Sequence, residues 1–477
     1  MNKDINEFYF DILFNLKNDK NIFYKENNIK INYYNILKKV EKFYYIIHEN
    51  NSKRIGLYCN KSDNYYSAVI AILLSGKTWV QLSKSNPIDR NRIIINEGKI
   101  DLILSDEKIY FTKTVLTRYF KDILKKRFVL SIPKKCPIKK DSLSCIFFTS
   151  GSTGSPKGVK ITYGSMIASL NHQIRVLKYK KNDIFSDFHE SSFVMSLNTI
   201  LPCIKLGATI SPLIKETDKI IGNEIIKKNK ISVLITVPSY ILYLSNIDFK
   251  KLYIKKIILC GENCSLNILN ILKKKFKFLS LYNCYGSTEL SPWAFSYKYN
   301  PSDRSAIEKM LQLPIGSPFK GIKVLKNKNG EMLISGNILS DGYLNRDQNR
   351  NKFIKYKKIN FYNTGDLFKI YKKKYFILGR NDSQIKLSGL RINLNDIDAN
   401  LKKNININFS FTFFKNNMIT TVYSAKKKIS ELRIRNFLKS QLPKYMLPKN
   451  IFFVKKVFFN KNGKIDRSRF IQQFSKI

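Results

Sequence analysis

The chain has 477 residues, with 85 Lys+Arg against 35 Asp+Glu for a formal charge of +50; 44% of it is hydrophobic and 13% aromatic. That length exceeds a typical single domain, and the apolar content excludes a disordered polycation, which would lack the surface to build a core. Lysines are scattered without a run of five or six, and Asn and Ile are swollen alongside them, so the charge reads as A+T-rich coding and a solvated surface, not a nucleic-acid footprint.

The N-terminal stretch MNKDINEFYFDILFN mixes acidic with apolar residues, and no signal peptide is expected from it. No segment approaches the roughly 18–20 apolar residues of a membrane span; the longest run, Ala68–Leu74, reads as a buried helix. Strands are predicted at Arg54–Tyr58, Leu102–Ser105, Ser144–Phe148, Ile231–Thr236 and Lys256–Cys260, and a helix at Tyr65–Ser75. Strands alternating with helical patterns point to a mostly parallel α/β sheet. From Pro314 onward short strands and turns dominate, with an Asn329-Gly330 hairpin signal. After Gly379 a smaller segment mixes strands (Phe409–Phe414, Ile419–Tyr423) with a helix (Ile429–Lys439). The expected fold is therefore α/β. A large domain, 1–379, has α/β layers and a β-rich subdomain; a small, mobile α+β domain, 380–477, follows. The small domain carries 21 basic and 5 acidic residues and is nearly twice as basic per residue as the rest. Seven cysteines without a CxxC pair or His partners read as buried thiols of a reducing compartment, and a cytoplasmic location is expected.

Chemistry concentrates in a few motifs. The segment Phe147–Gly158 (FFTSGSTGSPKG) follows a predicted strand and holds three glycines, several hydroxyls and Lys157. Glycines let backbone amides turn toward an anion, hydroxyls donate to phosphate oxygens and the lysine neutralises charge. It is not a GxxxxGK[ST] loop, because Pro156 precedes Lys157 and Gly158 follows it. Downstream come Tyr285-Gly286-Ser287-Thr288-Glu289, then Tyr362–Asp366, then Gly379–Lys386, LPKYMLP at 442–448 and Asn462–Arg467. A Tyr ring beside a hydroxyl and a carboxylate suits adenine stacking, phosphate contact and Mg²⁺ ligation.

In this order and spacing the motifs resemble the adenylate-forming superfamily, from Leu73–Gly76 and Pro87–Arg90 through Lys464. LPKYMLP, NGKIDR and GRNDSQIKLSGLRINL bring the chain nearest to stand-alone amino-acid adenylation domains of the nonribosomal peptide synthetase and D-alanine–carrier-protein ligase type. The resemblance implies a ligase that uses ATP and Mg²⁺ to convert a small carboxylic acid, such as an amino acid, to an acyl-adenylate with pyrophosphate release. The acyl group would then pass to the phosphopantetheine thiol of a separate carrier protein. The alternative is an acyl- or aryl-CoA ligase acting on an acid without an α-amino group. Nucleic acid and membrane are not expected partners.

The same resemblance implies residue roles. Thr149, Ser150, Gly151, Ser152, Thr153, Gly154 and Lys157 would hold the β- and γ-phosphates. Thr288 would meet the α-phosphate and Glu289 the metal, both counted with Lys464 as catalytic. Tyr285 would stack on adenine, with Gly261, Glu262, Asn283, Gly286 and Ser287 around the nucleotide. Asp366 would hold the ribose hydroxyls beside Arg380, Asp382 would be the hinge, and Lys464 would bridge carboxylate and phosphate. Loss of these groups would mark a non-catalytic binding protein; the phosphate loop, Glu289, Asp366 and Lys464 are all in place.

One position departs from the amino-acid-activating pattern. The Phe-Asp-x-Ser motif that pairs with an α-ammonium aligns with Phe193-Val194-Met195-Ser196, so the Asp position is Val194. An apolar residue there cannot balance a buried ammonium. His189 or Glu190, a few residues upstream, are the alternatives as pocket residues.

Overall fold

Strands such as Val233–Thr236 and Ile257–Cys260 are buried at every position, as strands covered on both faces must be, and they lie in the middle of a parallel sheet. In a computed structural model the described residues are 2–127, 131–150, 155–214, 222–244, 252–275, 280–381, 383–387, 389–404, 407–455, 457–458 and 466–474. Among these, a nine-stranded sheet runs in the order Ser317–Pro318, Trp293–Lys298, Ser280–Gly286, Lys256–Cys260, Val233–Thr236, Ile184–Asp187, Thr209–Pro212, Ile22–Glu26, Ile29–Asn32. Its central pairs are parallel, with Val233 opposite Lys256 and Cys260 opposite Cys284. A six-stranded sheet orders Leu116–Tyr119, Leu102–Ser105, Arg54–Tyr58, Thr78–Leu82, Leu143–Thr149 and Lys157–Thr162.

The helix Asp63–Leu74 is buried at every position from Tyr65 to Leu74. An all-round apolar helix has to lie inside a core, and this one shares its cluster with Trp79, Phe147, Tyr163 and Trp293. It starts two residues before the predicted Tyr65 because the Ser62 hydroxyl caps it, accepting from the Tyr65 amide at 3.2 Å. The Asn329-Gly330 signal marks a hairpin between Lys323–Lys326 and Glu331–Ser335, with Gly330 at φ +81. That hairpin belongs to a five-stranded antiparallel sheet with Phe353–Tyr356, Ile359–Tyr371 and Lys374–Arg380.

The C-terminal part has its own core. A hairpin (Gln384–Leu387, Leu390–Asn393) leads into the helix Leu394–Asn404 and a sheet of Ile407–Lys415, Met418–Ala425 and Asn450–Phe453. Ile392, Ile397, Leu401, Ile434 and Leu438 form one apolar cluster, and Phe409, Phe413, Phe470 and Phe474 another. The helix expected at 429–439 is found at Glu431–Gln441, because Ser430 accepts from the Arg433 amide and sets its first turn. The fold is thus a large α/β domain with a β-rich subdomain and a small α+β domain. All seven cysteines are free thiols, six of them buried. Among the described residues no helix is long and apolar enough to cross a membrane.

The C-terminal ends of Leu143–Thr149, Lys256–Cys260 and Ser280–Gly286 open toward one crevice, which is where ligands bind on sheets of this kind. Gly286 closes the last of these strands against the returning chain: an added Cβ would lie 2.0 Å from the Pro292 carbonyl oxygen and 2.8 Å from the Trp293 Cα. Both are backbone atoms and cannot step aside. Gly286→Ala is expected to lower stability by about 3 kcal/mol, read as a shift in the urea midpoint; an unchanged midpoint would mean the hairpin opens freely.

Candidate active site

The crevice holds a cavity of about 90 Å³ whose wall is made by residues from both domains. Thr149 and Ser150 line it from the end of one strand, Gly261 from a second, and Gly286, Ser287 and Thr288 from a third. Lys386, Gly389, Arg391 and Tyr445 close it from the C-terminal side.

The phosphate-loop candidates divide. Ser150 Oγ donates to the Arg391 carbonyl at 2.9 Å and accepts from the Asn393 amide at 3.1 Å, tying the end of the strand to the small domain. Thr149 Oγ1 is 3.5 Å from the Lys157 carbonyl across the two strands that flank the loop. Burial lowers the pKa of Lys157, and the charges of Arg391 and Lys352 add to the effect. Gly151, Ser152, Thr153 and Gly154 lie outside the described residues, as do Asp382 and Lys464.

Two ion pairs dominate the rest. Tyr285 Oη donates to Asp366 Oδ2 at 2.5 Å, and Arg380 Nη1 donates to Asp366 Oδ1 at 2.6 Å, so the carboxylate is held from both sides. Lys386 Nζ stands 5.1 Å from the centroid of the Tyr285 ring. Burial pushes the Tyr285 hydroxyl far up and the Lys386 ammonium down. Glu289 is fully buried, accepts from Tyr343 Oη at 2.7 Å, and receives Arg391 Nη1 at 3.0 and 2.9 Å on its two oxygens. Burial alone would raise its pKa; the Arg391 charge and the Tyr343 hydroxyl outweigh it and bring the carboxyl down to about 2. Arg391, Lys386, Tyr343 and Tyr445 were not singled out from the sequence. Arg391 and Lys386 lie inside a motif that was recognised, whereas Tyr343 stands 54 positions from its partner with no local signal.

Gly261 and Gly389 meet back to back: Gly261 has φ +82, and a Cβ on it would sit 3.1 Å from the Gly389 Cα. Glu262 holds that junction, accepting from the amides of Gly389 (3.1 Å) and Ser239 (3.0 Å). Asn283 faces inward, donating to the Pro314 carbonyl at 2.9 Å. Of the three pocket candidates, Phe193 and Val194 line the main cavity, and the Phe193 ring lies 5.9 Å from that of Tyr445. His189 lines a separate cavity beside Lys61 and Glu190, where Lys61 pairs with Asp187 at 3.0 Å and Ser83 donates to Glu190 at 2.8 Å.

Comparison with known proteins bears on this geometry. A family model described as AMP-binding enzyme matches residues 16–344. The chain is 26% identical over 464 residues to a D-alanine–D-alanyl carrier protein ligase of Staphylococcus epidermidis, covering 93% of this chain and 94% of that one. A Staphylococcus aureus protein of the same description is 26% identical over 440 residues, covering 88% and 90%. Among solved structures, an adenylation domain of Vibrio cholerae in complex with glycyl-adenosine-5'-phosphate superposes with a TM-score of 0.84 at 17% identity over 98% of each chain. The o-succinylbenzoate CoA synthetase of Bacillus subtilis, bound with a product analogue, does so with 0.84 at 17% identity over 96% and 97%.

The buried pair between the domains is open to test without any ligand. Arg391→Leu leaves the Glu289 charge unmatched and is expected to cost about 3–5 kcal/mol in metal-free urea unfolding, with Glu289→Gln in that background recovering part of the loss. Equal costs for the single and double variants would show that the pair carries no coupling.

Proposed function

The chain belongs to the AMP-binding enzyme family, and on that premise we propose that it activates a small carboxylic acid as its acyl-adenylate and passes the acyl group to a carrier-protein thiol. In the first step a carboxylate oxygen attacks the α-phosphorus of ATP and pyrophosphate leaves. In the second the thiol attacks the acyl carbon and AMP leaves. The observation that supports the reading most directly is the convergence of Thr149, Ser150, Gly261, Gly286, Ser287 and Thr288 on one cavity at the strand ends. The relatives described as carrier-protein ligases cover nearly the whole chain, and they favour a carrier thiol over coenzyme A and D-alanine among the first acids to try.

Attack of one anion on another needs charge neutralisation and positioning more than proton transfer. In this reading the segment Thr149–Lys157 carries the β- and γ-phosphates and Thr288 the α-phosphate. Asp366, already fixed by Arg380 and Tyr285, accepts from the ribose hydroxyls. Tyr285 offers its ring to adenine once Lys386 has moved off it. Glu289 with the Thr288 hydroxyl would hold Mg²⁺, and the position suits a cation because Arg391 sits on both carboxylate oxygens. When bound, the metal supplies neutralisation of the triphosphate charge. Lys464 would be the cation that reaches both substrate carboxylate and phosphate, in a second orientation of the small domain turned about Asp382. The arrangement described above, with Arg391 on Glu289, is then the one suited to acyl transfer. An acidic carrier protein would find its complement in the net +16 of residues 380–477.

Substrate-dependent exchange of pyrophosphate into ATP, run over a panel of amino, hydroxy and aryl acids, tests the first step. At least one acid is expected to support exchange, and Lys464→Ala to reduce it by at least about a hundredfold while ATP binding and the melting temperature stay unchanged. Wild-type protein that exchanges with none of them, or a fully active Lys464→Ala, would overturn the reading.

A further inference from the structure

Arg90 stands in the cavity wall from the helix Ile88–Gly98 and is 7% exposed. Three neighbouring cations have counter-charges: Arg391 has Glu289, Arg380 has Asp366 and Lys61 has Asp187. Arg90 has none. Among the described residues it makes no hydrogen bond and no ion pair, and the cavity wall it shares with Gln81, Asn86, Lys386 and Arg391 contains no carboxylate side chain. A guanidinium carries a permanent charge and five donors, and one that faces a cavity with no protein acceptor is free to take an anion there.

Its position narrows the ligand. The helix Ile88–Gly98 packs on the helix Glu431–Gln441 of the small domain, so Arg90 lies at the seam between the two domains. Burial raises the Tyr445 hydroxyl to about 12, the Arg90 charge pulls against it and the charges of Glu190 and Asp396 add to it, and the Tyr445 ring lies against Phe193. Whatever fills the space between the strand ends and the seam passes Arg90. Carboxylates and phosphates match its planar fork in a bidentate manner.

We propose that Arg90 receives an anionic oxyacid group, a carboxylate or a phosphate, of a ligand bound in this cavity. The inference rests on the adenylation reading for its two sources: a second carboxylate on the acid being activated, or the phosphate at the root of the pantetheine arm. In either case Arg90 sets specificity and takes no part in bond making.

Two matched pairs of compounds separate the sources, with wild-type, Arg90→Gln and Arg90→Lys proteins. Pyrophosphate exchange is measured with butyrate and succinate, and acyl transfer, from an acid that wild-type activates, with free pantetheine and 4'-phosphopantetheine as thiols. Arg90→Gln is expected to raise KM at least tenfold for the anion-bearing member of one pair only, leaving its uncharged counterpart unchanged, with Arg90→Lys recovering part of the loss. An effect on succinate assigns the acid, and an effect on 4'-phosphopantetheine assigns the arm. Wild-type turnover with equal KM changes for both members of each pair, or with none, overturns the proposal while leaving adenylation standing. A wild-type protein inert toward every acid removes the adenylation reading and the proposal with it.

Discussion

Glu289 is a fully buried carboxylate, and a buried negative charge has to be matched by a cation in contact with it. In the arrangement described above that cation is Arg391, which reaches across 102 positions from the small domain and places a guanidinium nitrogen on both carboxylate oxygens. A metal at Glu289 would compete with the Arg391 charge for the same two oxygens. The proposed two-step chemistry would then have a physical reason to use two domain arrangements: Glu289 would hold Mg²⁺ in one and Arg391 in the other. Lys386 repeats the logic at the far end of the cavity, lying over the ring on which adenine is proposed to stack.

In the proposed exchange the large domain would supply the fixed surface on which the small one docks. Three strand ends are fixed by ladder pairing, Cys260 with Cys284 in a parallel pair and Thr149 with Lys157 and Gly286 with Trp293 in antiparallel ones, so the loops after them start from set positions. Besides Arg391, Lys386 and Tyr445, the docking uses backbone and short side chains. Gly261 meets Gly389 with no side chain between them, Glu262 accepts from the Gly389 amide, and the Ser150 hydroxyl bridges Arg391 and Asn393. Such contacts are directional. A joint of this kind suits a domain that must also let go.

Much of this was legible in the chain because the informative residues sit at strand ends, where local pattern and local chemistry coincide. The apolar run before Tyr285 is the strand Ser280–Gly286, and the run before Thr149 is Leu143–Thr149, and Thr149, Ser150, Gly286, Ser287 and Thr288 at their ends line the crevice. What was missed is long-range. Tyr343 and Arg391 meet Glu289 across 54 and 102 positions, and no periodicity in the sequence links them. His189 and Val194 are five residues apart, yet the chain turns between them and puts them in different cavities. Arg380 ends a strand of the β-rich subdomain and pairs with Asp366, so the separate small-domain core begins only after it, with Ile385. In the sequence Arg90 ends the Pro87–Arg90 motif without an assigned role; that no described carboxylate pairs with it is visible only in three dimensions.

The claim on which the rest turns is that Arg391 and the metal-bound nucleotide occupy Glu289 in alternation. Hydrogen exchange across residues 384–393, followed in the full-length protein with and without ATP and Mg²⁺, tests it directly. Binding of the metal-nucleotide is expected to displace Arg391 and speed exchange in that segment, with ATP alone in chelator having a smaller effect. Protection that stays unchanged or rises on adding MgATP would contradict the account.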